Sequence, residues 1–169
     1  LSFWYGASTA LREPALHWMT WWPLLVSYGI VPVLDLLAGR VVTQFSAAEQ
    51  TRLARDRMLR VIPWLCALSW LVTLAWALAI APQVKALPWT SVLGFVVSLG
   101  IVGGILAINV GHELIHRNNR LERMLGGVLL ASVCYGVFKV EHVRGHHLRV
   151  ATADDPATAR RGDHWALML

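Results

Sequence analysis

Val61–Ala81 contains no charged residue and has about the length, roughly 20 apolar residues, that an α-helix needs to cross the hydrocarbon core of a bilayer. A run like this leaves a chain few options. In lipid every backbone polar group must be satisfied within the segment, so the run must be a helix. A second uncharged run, Pro88–Val110, follows it, and Pro14–Leu37 precedes it with Asp35 near its far end. Trp18, Trp21 and Trp22 cluster at the start of that first run, where amphipathic rings favour the membrane interface. Pro23 and Pro32 interrupt it, which membrane helices tolerate because neighbours re-satisfy the freed backbone groups. Composition agrees: 56% of the 169 residues are hydrophobic and nine are Trp. The expectation is an all-α integral membrane bundle with about three transmembrane helices, near 16–37, 61–81 and 88–110.

Charge orients the bundle. The formal net charge of +5 is spread over short segments beside the apolar runs and is not a nucleic-acid signal. Gly39–Arg60 carries Arg40, Arg52, Arg55, Arg57 and Arg60 against Glu49 and Asp56, the arginine excess of a cytoplasmic loop. Within it, Ser46–Glu49 has the Ser-x-x-Glu form of a capping box, so a short helix should start there. Lys85 is the only charge between the second and third runs. The third helix therefore returns to the cytoplasmic side. Gly94, Gly100, Gly103 and Gly104 lie inside it, and small residues let membrane helices approach closely. Cys66 and Cys134 sit in separate apolar stretches and read as buried free thiols. The chain starts at Leu1 and stops at Leu169 inside an apolar stretch, the expectation for an internal piece of a longer protein.

Five of the seven histidines fall in two short stretches just beyond the third run. His112 and His116 in Asn109–Arg117 are four apart, so a helix puts them on one face. His142 and His146 in Val140–His147 repeat that spacing, with His147 beside them. One such pair could be hydrogen-bonded core histidines. Two clusters next to apolar runs point to metal ligation, and imidazole suits Zn, Cu, Fe and Ni alike. If both clusters serve one site, the apolar segment between them, 121–140, cannot span. Crossing a core of about 30 Å would separate imidazoles that must each reach a metal at about 2 Å. Its flanks are basic on both sides, Arg117, Arg120 and Arg123 before it and Lys139, Arg144 and Arg149 after. The expectation is a non-spanning, membrane-associated helix near 121–140.

His112-Glu-Leu-Ile-His116 also has the His-Glu-x-x-His form of zinc metalloproteases, with the glutamate as base. That reading has no use for the second cluster, because a catalytic zinc takes three protein ligands and an open position. Several histidines from separate segments suit two metals better.

The two stretches resemble the membrane-bound alkane 1-monooxygenases, within the wider family of integral-membrane fatty-acid desaturases and hydroxylases. The matching residues are Asn-x-Gly-His-Glu-Leu-x-His at Asn109–His116 and Glu-His-x-x-Gly-His-His at Glu141–His147. They continue through Arg149-Val-Ala-Thr152, Asp155-Pro-Ala-Thr158 and Arg160 to Gly162. Upstream, Tyr28-Gly29 with Pro32, Leu34 and Asp35 looks like the family's second membrane helix. The resemblance implies two iron ions in a non-haem di-iron centre that activates O2 and hydroxylates a terminal C–H bond. It carries over His112, His116, His142, His146 and His147 as metal ligands. Glu113 and Glu141 fall at matching positions and are assigned to orienting imidazoles, with plain hydrogen bonding within the helix as the alternative. His17 and His164 match neither box and read as interfacial or surface residues. The family's further histidine boxes and its first and last membrane helices are absent, so residues 1–169 are expected to be a fragment of a single di-iron hydroxylase domain. A fatty-acyl desaturase or alkyl-aromatic hydroxylase of the same superfamily is the nearest alternative.

The partners implied are an alkane drawn from the bilayer, O2, membrane lipid, and rubredoxin (or ferredoxin) with its reductase. The location implied is the bacterial inner membrane, multi-pass, with the histidine boxes on the cytoplasmic side. The chain itself carries no cysteine cluster, haem motif or dinucleotide fingerprint, so electrons must arrive from outside. The arginines around 117–123 and 144–161 are candidate docking charges for an acidic partner.

Overall fold

The computed structural model describes residues 1–39, 45–54, 56–155 and 157. All of their regular structure is helical. A short helix α1 (Ser2–Arg12) leads into the first long apolar helix, α2 (Pro14–Ala38). Helix α3 (Ala47–Ala54) precedes α4 (Arg57–Val84), and α5 (Trp89–Ile115) returns antiparallel to it. Helix α6 (Arg120–Ser132) and a last helical stretch α7 (138–149) complete the order. Helices α2, α4 and α5 are the three long and apolar enough to cross a membrane.

Each helix starts and bends where its sequence provides for it. The capping box of α3 is formed: the Ser46 amide and hydroxyl both donate to Glu49 Oε2 at 2.8 Å, and the Glu49 amide donates back to Ser46 Oγ at 3.3 Å. Arg40 and Arg55 of the same basic segment lie outside the described residues. Asp56 caps α4 by accepting from the Met58 amide at 2.7 Å. Helix α2 is irregular, opening with a 3₁₀ stretch at Pro14–Trp21 and widening into a π turn at Val26–Ile30. That π turn ends two residues before Pro32, whose missing N–H would otherwise break the ladder.

The packing is layered along α4 and α5. At the Val84 end, Phe3 and Ala7 of α1 bury against Ala77, Val84 and Phe95. Trp4 stacks on Trp76 and donates its indole N–H to Thr73 Oγ1 at 3.0 Å. The start of α2 sits on α5, with Ser98 Oγ donating to the Thr20 carbonyl at 2.7 Å. Nearer the opposite end, Trp70 is the largest fully buried side chain, packed with Ala67, Ala107, Leu114 and Leu129. The second half of α2 leaves this bundle: none of residues 26–38 is buried, an apolar surface suited to lipid.

Helix α6 does not span. Asn119 starts it by accepting from the Leu121 amide at 2.8 Å, and Glu122 favours its positive N-terminal end. It then runs back along α5 only as far as the level of Trp70 and Gly103. There Trp70 Nε1 donates to Ser132 Oγ at 2.8 Å, and Val133 approaches the Gly103 position. Gly103 lies twelve residues before Ile115, so the descent is about 18 Å at 1.5 Å per residue, short of the ~30 Å core.

The expected helix at 121–140 is therefore broken in two. The break is a Schellman motif. The Tyr135 amide bonds the Leu130 carbonyl at 2.8 Å, the Cys134 amide bonds the Ala131 carbonyl at 3.0 Å, and Cys134 takes φ +59°. A non-glycine residue there costs on the order of 1–2 kcal/mol, offset by the two carbonyls it satisfies. Cys134 is exposed and Cys66 half-buried, so the reading of both thiols as buried does not hold. After the turn the chain climbs back, and Lys139 Nζ reaches the Arg123 carbonyl at 2.8 Å.

The re-entrant pair is seated by two glycines. A Cβ on Gly126 would stand 2.8 Å from the Gly111 carbonyl oxygen and 3.0 Å from the backbone nitrogen of Ile115. A Cβ on Gly127 would meet only the tip of Lys139, at 3.2 Å. Gly126→Val should therefore push α6 off α5 and cost about 1–3 kcal/mol, while Gly127→Ala is neutral or slightly stabilising. Thermal unfolding of the two variants in detergent checks the difference; equal melting temperatures would contradict the close approach.

Candidate metal centre

The end of α5 and the returning α7 meet at the histidines. Two irregularities set their directions. A π turn at Gly104–Ile108 precedes Asn109–Ile115 and rephases the helix that carries His112 and His116. A second π turn, Glu141–His146, carries the other cluster. With i→i+5 bonding, the residue brought under His142 is His147 rather than His146. The four-residue spacing of His142 and His146 suggests the other pairing. Single π turns of this kind occur often at functional sites.

The imidazoles converge. His112 Nε2 lies 2.7 Å from His142 Nε2, and His147 Nε2 lies 3.0 Å from the same atom. His116 stacks on His147 with ring centroids 4.7 Å apart and meets His112 edge-on at 4.9 Å. One ligand nitrogen from each of His112, His116 and His142 fits within a mutual 4.8 Å. Phe138 stacks on His142 at 4.6 Å and 18°, and Tyr135 stacks on Phe138 in turn. Sequence reasoning missed this aromatic wall; its one signal was an aromatic residue four before the histidine.

His146 is oriented differently. Its Nδ1 faces Asp155 Oδ2 at 2.8 Å. In the sequence Asp155 stands out only as part of the Asp-Pro-Ala-Thr tail, and nothing there separates it from the adjacent Asp154. Glu113 is exposed and gives Oε1 to Arg117 Nη2 at 2.8 Å. Glu141 is exposed. Neither carboxylate hydrogen-bonds an imidazole among the described residues. His17 lies in the 3₁₀ stretch of α2, apart from the cluster. His164 lies outside the described residues.

The cluster fits a metal on its own chemistry. His142 Nε2 offers one position, a proton or a lone pair, yet faces two other Nε2 atoms. As a donor it can satisfy one neighbour well; a cation among the lone pairs satisfies all of them. Ligation needs neutral imidazoles, and the site favours the neutral form at His142 and His116. Burial, then the nearby His112, His147, His116 and His146, push His142 down to about 4. Burial, His112 and His147 also lower His116, with Glu113 opposing. Beside His116 an open cleft of about 480 Å³ is lined by Leu53, Leu59, Arg60, Glu113 and Arg117. The basic segment before α4 thus stands at the same end of the bundle as the histidines.

Residues 87–169 match the family model described as fatty acid desaturase. Across 95% of the chain, the sequence is 37% identical to alkane 1-monooxygenase 2 of Alcanivorax borkumensis and 36% identical to alkane 1-monooxygenase 2 of Pseudomonas aeruginosa. It is 38% identical, over 83% of the chain, to alkane 1-monooxygenase of Ectopseudomonas oleovorans. The chain spans 44%, 45% and 34% of the lengths of these relatives, less than half in each case.

The His142 environment predicts a pH dependence. An unfolded-chain imidazole titrates near 6.5 and the folded one near 4. Between those values the unfolded chain binds more protons, so the metal-free fold loses stability as pH falls through this window and is indifferent to pH above it on this account. Imidazole 15N shifts of metal-free protein should give His142 a midpoint near 4. A midpoint at or above 6.5 would contradict the packed arrangement.

Proposed function

This chain belongs, through residues 87–169, to the fatty acid desaturase superfamily, and from that premise we propose that it is part of a non-haem di-iron monooxygenase that hydroxylates the terminal carbon of medium- or long-chain alkanes. The observation that carries the reading is the convergence of imidazoles from two segments at one end of three bilayer-length helices. His112, His116, His142 and His147 supply one set of donors, and His146 a fifth. Five imidazoles exceed what one ion takes from a protein while keeping an open position, which favours two irons. The remaining ligands would come from the part of the relatives' length that this chain does not span. Bound there, iron supplies the O2 activation and C–H oxidation that no side chain provides.

The chain's own residues then have three tasks. His112, His116, His142 and His147 would turn ring nitrogens toward the metal, with His142 and His116 held toward the neutral form by burial and their neighbours. The membrane helices hold an alkane, which offers no polar handle and is retained only by apolar contact, worth about 0.8 kcal/mol per CH2 relative to water. Gly100 and Gly104 face open space on α5, whereas Gly103 is closed by Trp70. The first two leave room for an alkyl chain running toward the histidine end. Arg60 and Arg117, at the cleft beside His116, offer positive charge to an acidic electron donor such as rubredoxin. This end of the bundle would face the cytoplasm, in the inner membrane of a bacterium. A zinc hydrolase using Glu113 as base gains no support, because that carboxylate is engaged by Arg117.

In the full-length protein, His112→Ala should lower bound iron from about two per chain to about one or none, and His146→Ala should lower it as well. Metal analysis of purified active protein, with chromatography of the terminal alcohol, checks this. One zinc and no iron in active protein would overturn the reading.

A further inference from the structure

We infer that Asp155 is the positioning residue for His146, fixing which ring nitrogen of that imidazole is free to bind metal. The inference rests on the reading that the histidines hold metal, but not on which metal.

The environment of Asp155 is unusual for its place in the chain. Residues 147–154 are all exposed, yet Asp155 is 5% exposed and its side chain fully buried. A carboxylate leaves water only where hydrogen bonds replace its hydration. Both oxygens are engaged here. Oδ2 faces His146 Nδ1 at 2.8 Å, and Oδ1 accepts from the Ala157 amide at 3.0 Å, closing a turn within the loop.

Direction follows from the acceptor. With Asp155 ionised, the carboxylate has no proton to give and His146 Nδ1 is the donor. The neutral ring then carries its lone pair on Nε2. His146 depends on this more than its neighbours do. His112, His142 and His147 restrain one another through their Nε2 atoms, whereas His146 meets His142 and His147 only through ring contacts at 5.4 and 5.8 Å. Asp155 thus holds both the rotation and the tautomer of the imidazole that the others do not hold. It also ties the loop after α7 to the metal cluster.

Asparagine keeps the shape of the side chain while removing its charge and one acceptor oxygen. In the Asp155→Asn variant the side chain would have one acceptor oxygen for two donors. If it keeps the Ala157 turn, its NH2 faces His146 Nδ1 and drives the proton to Nε2, closing that nitrogen to a metal. Asp155→Glu keeps two acceptor oxygens on a longer arm and should recover part of the loss.

The test uses full-length protein in detergent, with imidazole 15N spectra of the metal-free form and Co(II) titration followed by absorbance. For Asp155→Asn we expect the His146 proton to move from Nδ1 to Nε2 and Co(II) affinity to fall roughly 10–100-fold. Asp155→Glu should bind more tightly than Asp155→Asn. Combining Asp155→Asn with His146→Ala should cost no more than His146→Ala alone. An unchanged tautomer with wild-type affinity, or full additivity in the double variant, would overturn the inference. If wild-type protein binds no Co(II) or Fe(II) at all, the metal reading fails, and the tautomer spectra still decide what Asp155 does to His146.

Discussion

The crossing of α5 by α6 at Gly111 and Gly126 is the contact on which the rest depends. In lipid, apolar burial alone does not hold two helices together, because acyl chains are as apolar as leucine. What remains is dispersion at close range, and that needs backbones near each other. Here the helices touch backbone to backbone, with Leu129 and Leu130 fully buried alongside. Because α6 can lie this close, it can run down one side of α5, turn at Cys134, and return. The returning segment then arrives where α5 ends, and His142 meets His112. If α6 crossed the membrane, every side chain after it would be at the wrong end.

The cluster itself opposes this packing. Imidazoles brought together and partly buried cannot all be protonated, and their nitrogen lone pairs compete for too few hydrogens. Phe138 and Tyr135 brace His142 by stacking, and Asp155 braces His146 by a charge-assisted bond. On the proposed reading, such braces would hold the ligands in place before a metal arrives, leaving little ordering to be done on binding. The π turns at Gly104–Ile108 and Glu141–His146 belong to the same design. Each gives up regular helix geometry and points histidines that a straight helix would spread around its axis.

Much of this was legible in sequence because it rests on local composition. Charge-free runs of bilayer length at 61–81 and 88–110 gave the hairpin, and basic flanks on both sides of 121–140 gave its failure to span. The Ser46–Glu49 box gave the start of α3. What the sequence hid was departure from regularity. Cys134 adopts a left-handed conformation where glycine is the usual signal, so the end of α6 at Ser132 could not be read. The pairing of His142 with His147 depends on a π turn that leaves no pattern of its own in the residues. Hydropathy ends the third span at Val110, whereas the helix continues to Ile115. His112 therefore rides on the membrane helix itself, and His116 follows at its C-cap. Asp155 becomes meaningful only once the loop folds back onto His146.

The most direct measurement is the sidedness of the segments flanking α6 and α7. In full-length protein with Cys66 and Cys134 replaced by alanine, single cysteines at Asn118 and Asp154 would be probed with a membrane-impermeant thiol reagent in sealed vesicles of known orientation. A cysteine at Lys85 serves as the opposite-side reference. Labelling of positions 118 and 154 from the same side, opposite to position 85, is the predicted result. Labelling of 118 and 154 from opposite sides would mean that the segment between them crosses the bilayer, and the shared histidine site could not exist.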